Sequence, residues 1–311
     1  MSSEKCRVDK VFSTTHAPCS SSSVKDHYNS ENLTRNIKTA LIKAGKSLSN
    51  LELKDLAPID QLHTGGIMTS MELIKKANLS CEAKVLDAGC GIGGSSRLLA
   101  GQFKFKVTGI DIADKFIEAA NFLTKCTRLE DKLVFRQGSV LDLPFSDNTF
   151  DAVLCQHILM NIEDKSTAFK EFYRVLKNDG KLILHEITRG KNDSLLFPVP
   201  WAGKASISFL ESWDTISTLL EKQGFETRFH FNGTEHACSW WEKVKAVSKK
   251  ASHTPRPIGP GLVFGNNAKY FGKNMHANFK NNSICLVEAI LKKNRAGIHK
   301  SYQPSRVLTA I

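Results

Sequence analysis

Ten residues, Val85-Leu86-Asp87-Ala88-Gly89-Cys90-Gly91-Ile92-Gly93-Gly94, constrain the fold more than any other part of the chain. A short apolar run carrying one acidic residue leads into a glycine turn, and an apolar-spaced helix from about Ser95 to Ala100 follows. Glycine is needed where the backbone turns tightly after a strand and approaches a ligand with no Cβ in the way, which accounts for Gly89, Gly91 and Gly93. The helix that follows presents free N–H groups at the same place. Gly89, Gly91 and Gly94 by themselves also satisfy the dinucleotide pattern G-x-G-x-x-G.

Asp87 separates the two ligand classes. A carboxylate beside the turn repels a pyrophosphate, whereas it pairs with the ammonium of a methionine moiety or orders the turn through backbone N–H groups. S-adenosylmethionine therefore suits the turn better than a dinucleotide. A second apolar run, residues 105–110, ends in Asp111 and Ile112. Asp111 lies close to the ~20-residue offset at which an acidic residue meets a ribose in doubly wound folds. It equally suits a cap for a helix over 114–123, where Phe116, Ile117, Ala120 and Leu123 form an apolar stripe. The two roles are compatible.

Further along, Gly138-Ser139-Val140-Leu141-Asp142-Leu143-Pro144-Phe145 runs through a polar turn at 146–149 into a strand at 150–155. With the glycine turn, these segments resemble the class I S-adenosylmethionine-dependent methyltransferases, specifically the small-molecule branch of type 11 and sarcosine/dimethylglycine-like N-methyltransferases. The resemblance runs from about His63 to Leu291. It implies cofactor contacts at Asp87, Gly89, Cys90, Gly91, Gly93, Asp111 and Ile112, with Cys90 acting through its backbone. It places Ser139 and Val140 against the adenine, although many members carry an aspartate where Ser139 stands. The turn at His63-Thr64-Gly65-Gly66 then closes over the methionine end.

The same resemblance makes Cys155-Gln156-His157-Ile158-Leu159-Met160-Asn161 the loop facing the transferred methyl group. His157 is either the general base, with a reference pKa of ~6.5, or a structural histidine. Gln156 holds the methionine moiety or the acceptor by its amide. Glu186 is a second candidate base and a partner for a cationic amine, and Trp201, Trp240 and Trp241 are candidate faces for a methylammonium. Members that methylate adenine amines carry prolines and a stacking aromatic in this loop. Their absence argues against a flipped base as acceptor.

Alternation of strand and helix predicts an α/β, Rossmann-like fold. Its sheet is seven-stranded and mostly parallel with helices on both faces, from strands at 84–88, 105–111, 132–137, 150–155, 181–187, 225–231 and 283–291. Phe225, Thr227, Phe229 and Phe231 alternate with polar residues, as in a strand with one face buried. An Asn178-Asp179-Gly180 turn is expected to separate a helix ending near Leu176 from the fifth strand. Residues 1–29, serine-rich and aperiodic, read as a disordered leader. Residues 30–80 read as a helical cap in which Leu33, Ile37, Ala40, Leu41 and Ala44 dock on the body. Residues 81–311 read as the methyltransferase domain, with a lid at about 195–210 and 232–282, between the last two strands, and a basic tail.

The net charge of +12 is local, since residues 241–311 hold 13 Lys or Arg against two acids while the preceding 240 are nearly balanced. Such a segment attracts nucleic acid, anionic substrate or acidic membrane, or simply stays solvated. Eight cysteines without a C-x-x-C pair, and no signal peptide, point to free thiols and a cytoplasmic location. The histidines show no metal-ligand spacing. The expected activity is methyl transfer from S-adenosylmethionine to a small molecule, an amine slightly favoured, without stable membrane insertion. Alternatives are O- or C-methylation of a sterol- or quinone-type metabolite, RNA methylation aided by the basic tail, and cofactor binding without turnover.

Overall fold

In a computed structural model the chain is described at residues 19–28, 32–250 and 257–294. Four helices precede the sheet: α1 (Cys19–Tyr28), α2 (Leu33–Lys43), α3 (Leu53–Asp60) and α4 (Gly66–Ala77). Then follow β1 (Lys84–Ala88), α5 (Gly94–Phe103), β2 (Lys106–Asp111), α6 (Asp114–Cys126), β3 (Leu133–Gln137), β4 (Phe150–Gln156), α7 (Lys165–Val175) and β5 (Leu176–Arg189). The chain continues through α8 (Trp213–Lys222), β6 (Phe225–Asn232), α9 (Thr234–Lys250), α10 (Gly261–Phe264) and α11 (Ala268–Lys280) to β7 (Ile284–Lys293).

The sheet order is β3-β2-β1-β4-β5-β7-β6. β1 to β5 pair in parallel, and β7 inserts antiparallel between β5 and β6. Successive residues of a strand face opposite sides of a sheet, and the core divides accordingly. Leu86 packs with Phe169, Phe172, Ile216 and Leu220 on the α7/α8 side, while its neighbour Val85 packs with Leu73, Leu99 and Ala120 on the other. Phe169 and Phe172 are fully buried, each contributing about 1.5–3 kcal/mol by removal from water. Strand order reverses between β1 and β4, so a crevice opens beyond their carboxyl ends.

Three expectations are corrected. Residues 19–28 are not a disordered leader but the helix α1, in which Val24 is buried against Trp201 and Phe271. Its few apolar side chains find partners only in the folded body, which composition does not show. Residues 1–18 lie outside the described residues, as does the basic tail beyond residue 294. The Asn178-Asp179-Gly180 segment does not end the helix in a free turn. It is absorbed into β5 as an irregularity, with Leu176 opposite Phe150 and Lys181 already opposite Ala152. In β6 the alternation fails after Phe225, because the pairing shifts between Thr227 and Phe229 and the strand is at the sheet edge; Phe231 is 37% exposed.

The segment between β6 and β7 folds as α9, α10 and α11. Trp241 of α9 is buried and its indole N–H donates to the Thr64 hydroxyl at 3.2 Å, pinning this segment to the turn before α4. Trp240 stacks edge-on against it at 4.8 Å. Neither tryptophan lines the crevice, so both are packing residues rather than faces for a substrate.

Candidate active site

The crevice forms a cavity of about 400 Å³. It is walled by the ends of β1, β2 and β4, the segment after β3, and residues from α1, α3, α6 and α10. Asp87, Gly89, Cys90, Gly91, Asp111, Ile112, Ser139, Val140, Gln156, His157 and His63 all line it. Gly93 does not line it. Its φ of +83° at the start of α5 shapes the turn, and a Cβ there would lie 2.8 Å from Arg97 and Phe135.

Gly89 shows why the turn excludes other residues. Its φ is +69°, and a Cβ would lie 2.2 Å from Cγ2 of Ile158 in the loop after β4. The Cys90 N–H is used within the protein, donating to the Ile110 carbonyl at 3.0 Å, and its buried thiol is pushed up in pKa by burial. Asp111 accepts the Gly91 N–H at 2.8 Å through one oxygen and the Ala113 N–H at 2.9 Å through the other. It therefore ties the turn to the start of α6, the Ile112 N–H also bonds to it, and one of its four lone pairs is left for a hydroxyl donor. Asp87 accepts the Ser96 hydroxyl at 2.5 Å and also the Ser96 backbone N–H, and burial raises its pKa to about 7.

Ser139 accepts the Leu141 N–H at 3.1 Å, which leaves its hydroxyl hydrogen for a ligand. Gln156 is committed within the protein. It accepts the Ser95 hydroxyl at 2.6 Å and donates to the Ser70 hydroxyl and to His185 Nδ1, both at 2.8 Å. The expectation that its amide grips cofactor or acceptor is corrected to one in which it organises its neighbours, with a spare lone pair on Oε1.

His63, His157 and His185 converge here, with ring centroids 5.0 to 6.2 Å apart. His63 Nε2 lies 2.9 Å from the Gly66 carbonyl and 2.8 Å from the Ser70 hydroxyl. Because His185 Nδ1 accepts from Gln156, its proton resides on Nε2, which is buried without a partner. His157 sits at φ +56°, its N–H held by the His185 carbonyl at 2.9 Å. Burial, with His63 adding to it, lowers its pKa to about 3, and burial lowers that of His63 to about 4. The reference value near 6.5 that made His157 attractive as a base does not survive its surroundings. At neutral pH it is an uncharged imidazole.

Glu186 is also corrected. It does not line the cavity but lies beneath it, 1% exposed, accepting the Ile158 N–H at 3.1 Å, the Leu159 N–H at 3.2 Å and the Cys155 thiol at 3.1 Å. Burial raises its pKa to about 7. It positions the loop after β4 instead of touching a substrate. Trp201 does line the cavity, with its indole N–H donating to Ser208 at 2.9 Å.

Sequence reasoning missed Tyr28. Its hydroxyl donates to Asn161 Oδ1 at 2.9 Å, while Asn161 donates to the Trp201 and Ile207 carbonyls at 2.8 and 3.1 Å. Its ring meets Phe116 at 5.4 Å and Phe264 at 6.5 Å. Only the spacing of Val24 and Tyr28 on one helix face could have signalled it.

Residues 86–184 match the family described as "Methyltransferase domain". Over those residues the chain is similar to methyltransferase domains. Over 126 residues, 40% of the chain, this region is 34% identical to phosphoethanolamine N-methyltransferase 1 of Arabidopsis thaliana. The chain spans about a quarter of the length of that relative. A phosphoethanolamine N-methyltransferase 2 of Haemonchus contortus, solved with phosphomonomethylethanolamine and S-adenosylhomocysteine, shares the fold. Its TM-score is 0.66 at 18% identity, over 88% of this chain and 61% of that one. The geranyl diphosphate C-methyltransferase of Streptomyces coelicolor superposes with a TM-score of 0.59 at 17% identity, over 73% of this chain and 78% of that one. The matched region holds most of β1 and all of β2 to β4, and the cavity is completed by α1, α3 and α10 from outside it.

Proposed function

We propose that the chain transfers a methyl group from S-adenosylmethionine to a small-molecule amine. The observation that carries this is the placement of Asp87 and Asp111 on either side of the Gly89–Gly93 turn, both open to one cavity. Asp87, a carboxyl with acceptor capacity to spare, suits the methionine ammonium, and Asp111 suits the ribose hydroxyls. Ile112, Ser139 and Val140 suit the adenine, and His63 and the Gly65-Gly66 turn suit the methionine end. The names of the relatives support an amine as acceptor.

S-adenosylmethionine supplies an electrophilic methyl group, so the protein's contribution is alignment and exclusion of water. The loop 157–161, held from beneath by Glu186, forms the floor where acceptor and sulfonium meet. The segments 195–210 and 232–282 act as the lid, and 30–80 as a supporting cap. An amine attacks through its lone pair and must be neutral at that moment. The neutral imidazole of His157 accepts a hydrogen bond from it without storing the proton, which leaves with the product to water.

We place the protein in the cytoplasm; among the described residues no helix is long and apolar enough to cross a membrane. The test is calorimetric titration of S-adenosylmethionine into the wild type and the Asp87→Ala/Asp111→Ala double variant, followed by a labelled-methyl assay on a metabolite extract. Equal affinities in the two proteins overturn the cofactor assignment. Tight cofactor binding without any labelled product favours a cofactor-binding protein that lacks turnover.

A further inference from the structure

The charges around the cavity are one-sided. Five carboxylates line it, those of Asp60, Asp87, Asp111, Glu163 and Asp164, and among the described lining residues there is no lysine or arginine. Arg97 offsets Asp60 from behind at 2.9 Å, but its guanidinium is fully buried and does not reach the cavity. Lys165 is turned away, its ammonium held by the Ile162 and Phe209 carbonyls at 2.7 and 2.6 Å. Glu163 and Asp164 are the exposed members and mark the mouth. Asp164 caps α7 through the Thr167 N–H and hydroxyl, which hold its carboxyl below the usual range and keep it ionised.

Deeper in, past the mouth, the walls are apolar: Met160, Trp201, Val263 and Phe264 face the same space. Their polar atoms are already used, since the Trp201 N–H is bonded to Ser208. A phosphate or carboxylate brought there would leave water for a site where no lysine or arginine stands among the described lining residues, which disfavours it. An alkyl or aryl body gains instead by burial, at roughly 25 cal/mol per Å². An ammonium is drawn to the mouth and loses its advantage inside, which favours the neutral, nucleophilic form.

We infer that the acceptor is an unphosphorylated amine carrying an apolar carbon body, admitted past Glu163 and Asp164 and seated against Met160, Trp201, Val263 and Phe264. This rests on the methyl-transfer reading above and narrows it. The acceptors named for the two superposed enzymes, phosphomonomethylethanolamine and geranyl diphosphate, both carry phosphate. By charge this cavity is built for a different class.

The experiment is calorimetry on the full chain saturated with S-adenosylhomocysteine, titrated with octylamine, phenethylamine and phosphoethanolamine. Either apolar amine is expected to bind at least about tenfold more tightly than phosphoethanolamine, a difference of ~1.4 kcal/mol. Phosphoethanolamine binding as tightly as both amines, or no response to either amine, overturns the inference. Glu163→Lys tests the mouth at an exposed position that tolerates substitution, with the melting temperature and S-adenosylhomocysteine affinity as controls for folding. It is expected to lower the preference for the apolar amines by roughly threefold or more, since the reversed charge repels an ammonium and attracts a phosphate. An unchanged preference overturns the role of the mouth charges. Failure of S-adenosylhomocysteine to bind at all refutes the methyl-transfer reading instead, and is read in the same titration before any amine is added.

Discussion

Arg97 of α5 and Asp60 at the end of α3 form an ion pair of 2.9 Å with side chains 0% and 2% exposed. The guanidinium also donates to the Ile92 carbonyl at 2.8 Å. One side chain thus ties the glycine turn to a helix that precedes the sheet. The backbone is equally close, because a Cβ on Gly94 would lie 2.0 Å from the Asp60 carbonyl oxygen.

Removing one member of that pair strands the other. Asp60→Asn is expected to destabilise the fold by about 3–5 kcal/mol, as for other buried pairs broken on one side. Asp60→Asn/Arg97→Met should recover more than half of the loss. Urea denaturation of the three proteins checks this, and a double variant as unstable as the single one would refute it.

Gly89→Ala collides with Ile158 and strains a backbone at positive φ. We expect S-adenosylhomocysteine affinity to fall by about tenfold or more, equivalent to at least ~1.4 kcal/mol. The further change Ile158→Ala removes the collision but not the strain, so calorimetry should show partial recovery. Full recovery would assign the whole effect to the side chain, and none would assign it to the backbone.

Asp87 titrates near 7 in the free protein, raised mainly by burial. A bound ammonium stabilises its ionised form and lowers that value, so cofactor binding at pH 6 should release close to one proton. Calorimetry in buffers of different ionisation enthalpy measures the release directly. It should vanish in Asp87→Asn; a release of the same size in that variant would locate the proton elsewhere.

Glu186 behaves in the same direction, its pKa raised to about 7 against an ordinary 4.5. A carboxyl raised on folding stabilises the native state fully below the unfolded value, and that contribution is lost as pH rises through the folded one. The stability of Glu186→Gln relative to wild type should therefore improve between pH 5 and pH 8, by up to about 3 kcal/mol at 1.36 kcal/mol per pH unit. Chemical denaturation across that range checks the sign. His63 and His157, lowered to about 4 and about 3, act oppositely below pH 6.5 in both proteins and cancel from the difference.

Much of the sheet was legible because buried strands write their burial as apolar runs and turns write theirs as glycine. All seven strands fall where periodicity places them, within five residues at every end. Asp87, Asp111 and the glycines were legible for a related reason, since their chemistry is fixed by local spacing. The hydrogen bonds of Glu186 and Gln156 were not legible, because sequence reports a polar residue in or at the end of a strand and not which way its hydrogen bonds run. The lowered pKa of His157 was not legible because its neighbours in space, His63 and His185, stand 94 residues before it and 28 after it. Tyr28 was missed since its one local signal, the spacing from Val24, is a single apolar pair in a serine-rich segment.

The cavity closes on contributions from widely separated parts of the chain, Val24 and Tyr28 from near one end and Val263 and Phe264 from near the other. Contacts of such sequence separation form late, since closing long loops costs entropy before any contact repays it. A folding intermediate holding β1 to β5 would already possess Asp87, Asp111 and the glycine turn. It would acquire the acceptor wall only when α1 and α10 dock on it, so cofactor affinity should appear before acceptor selectivity as the protein matures.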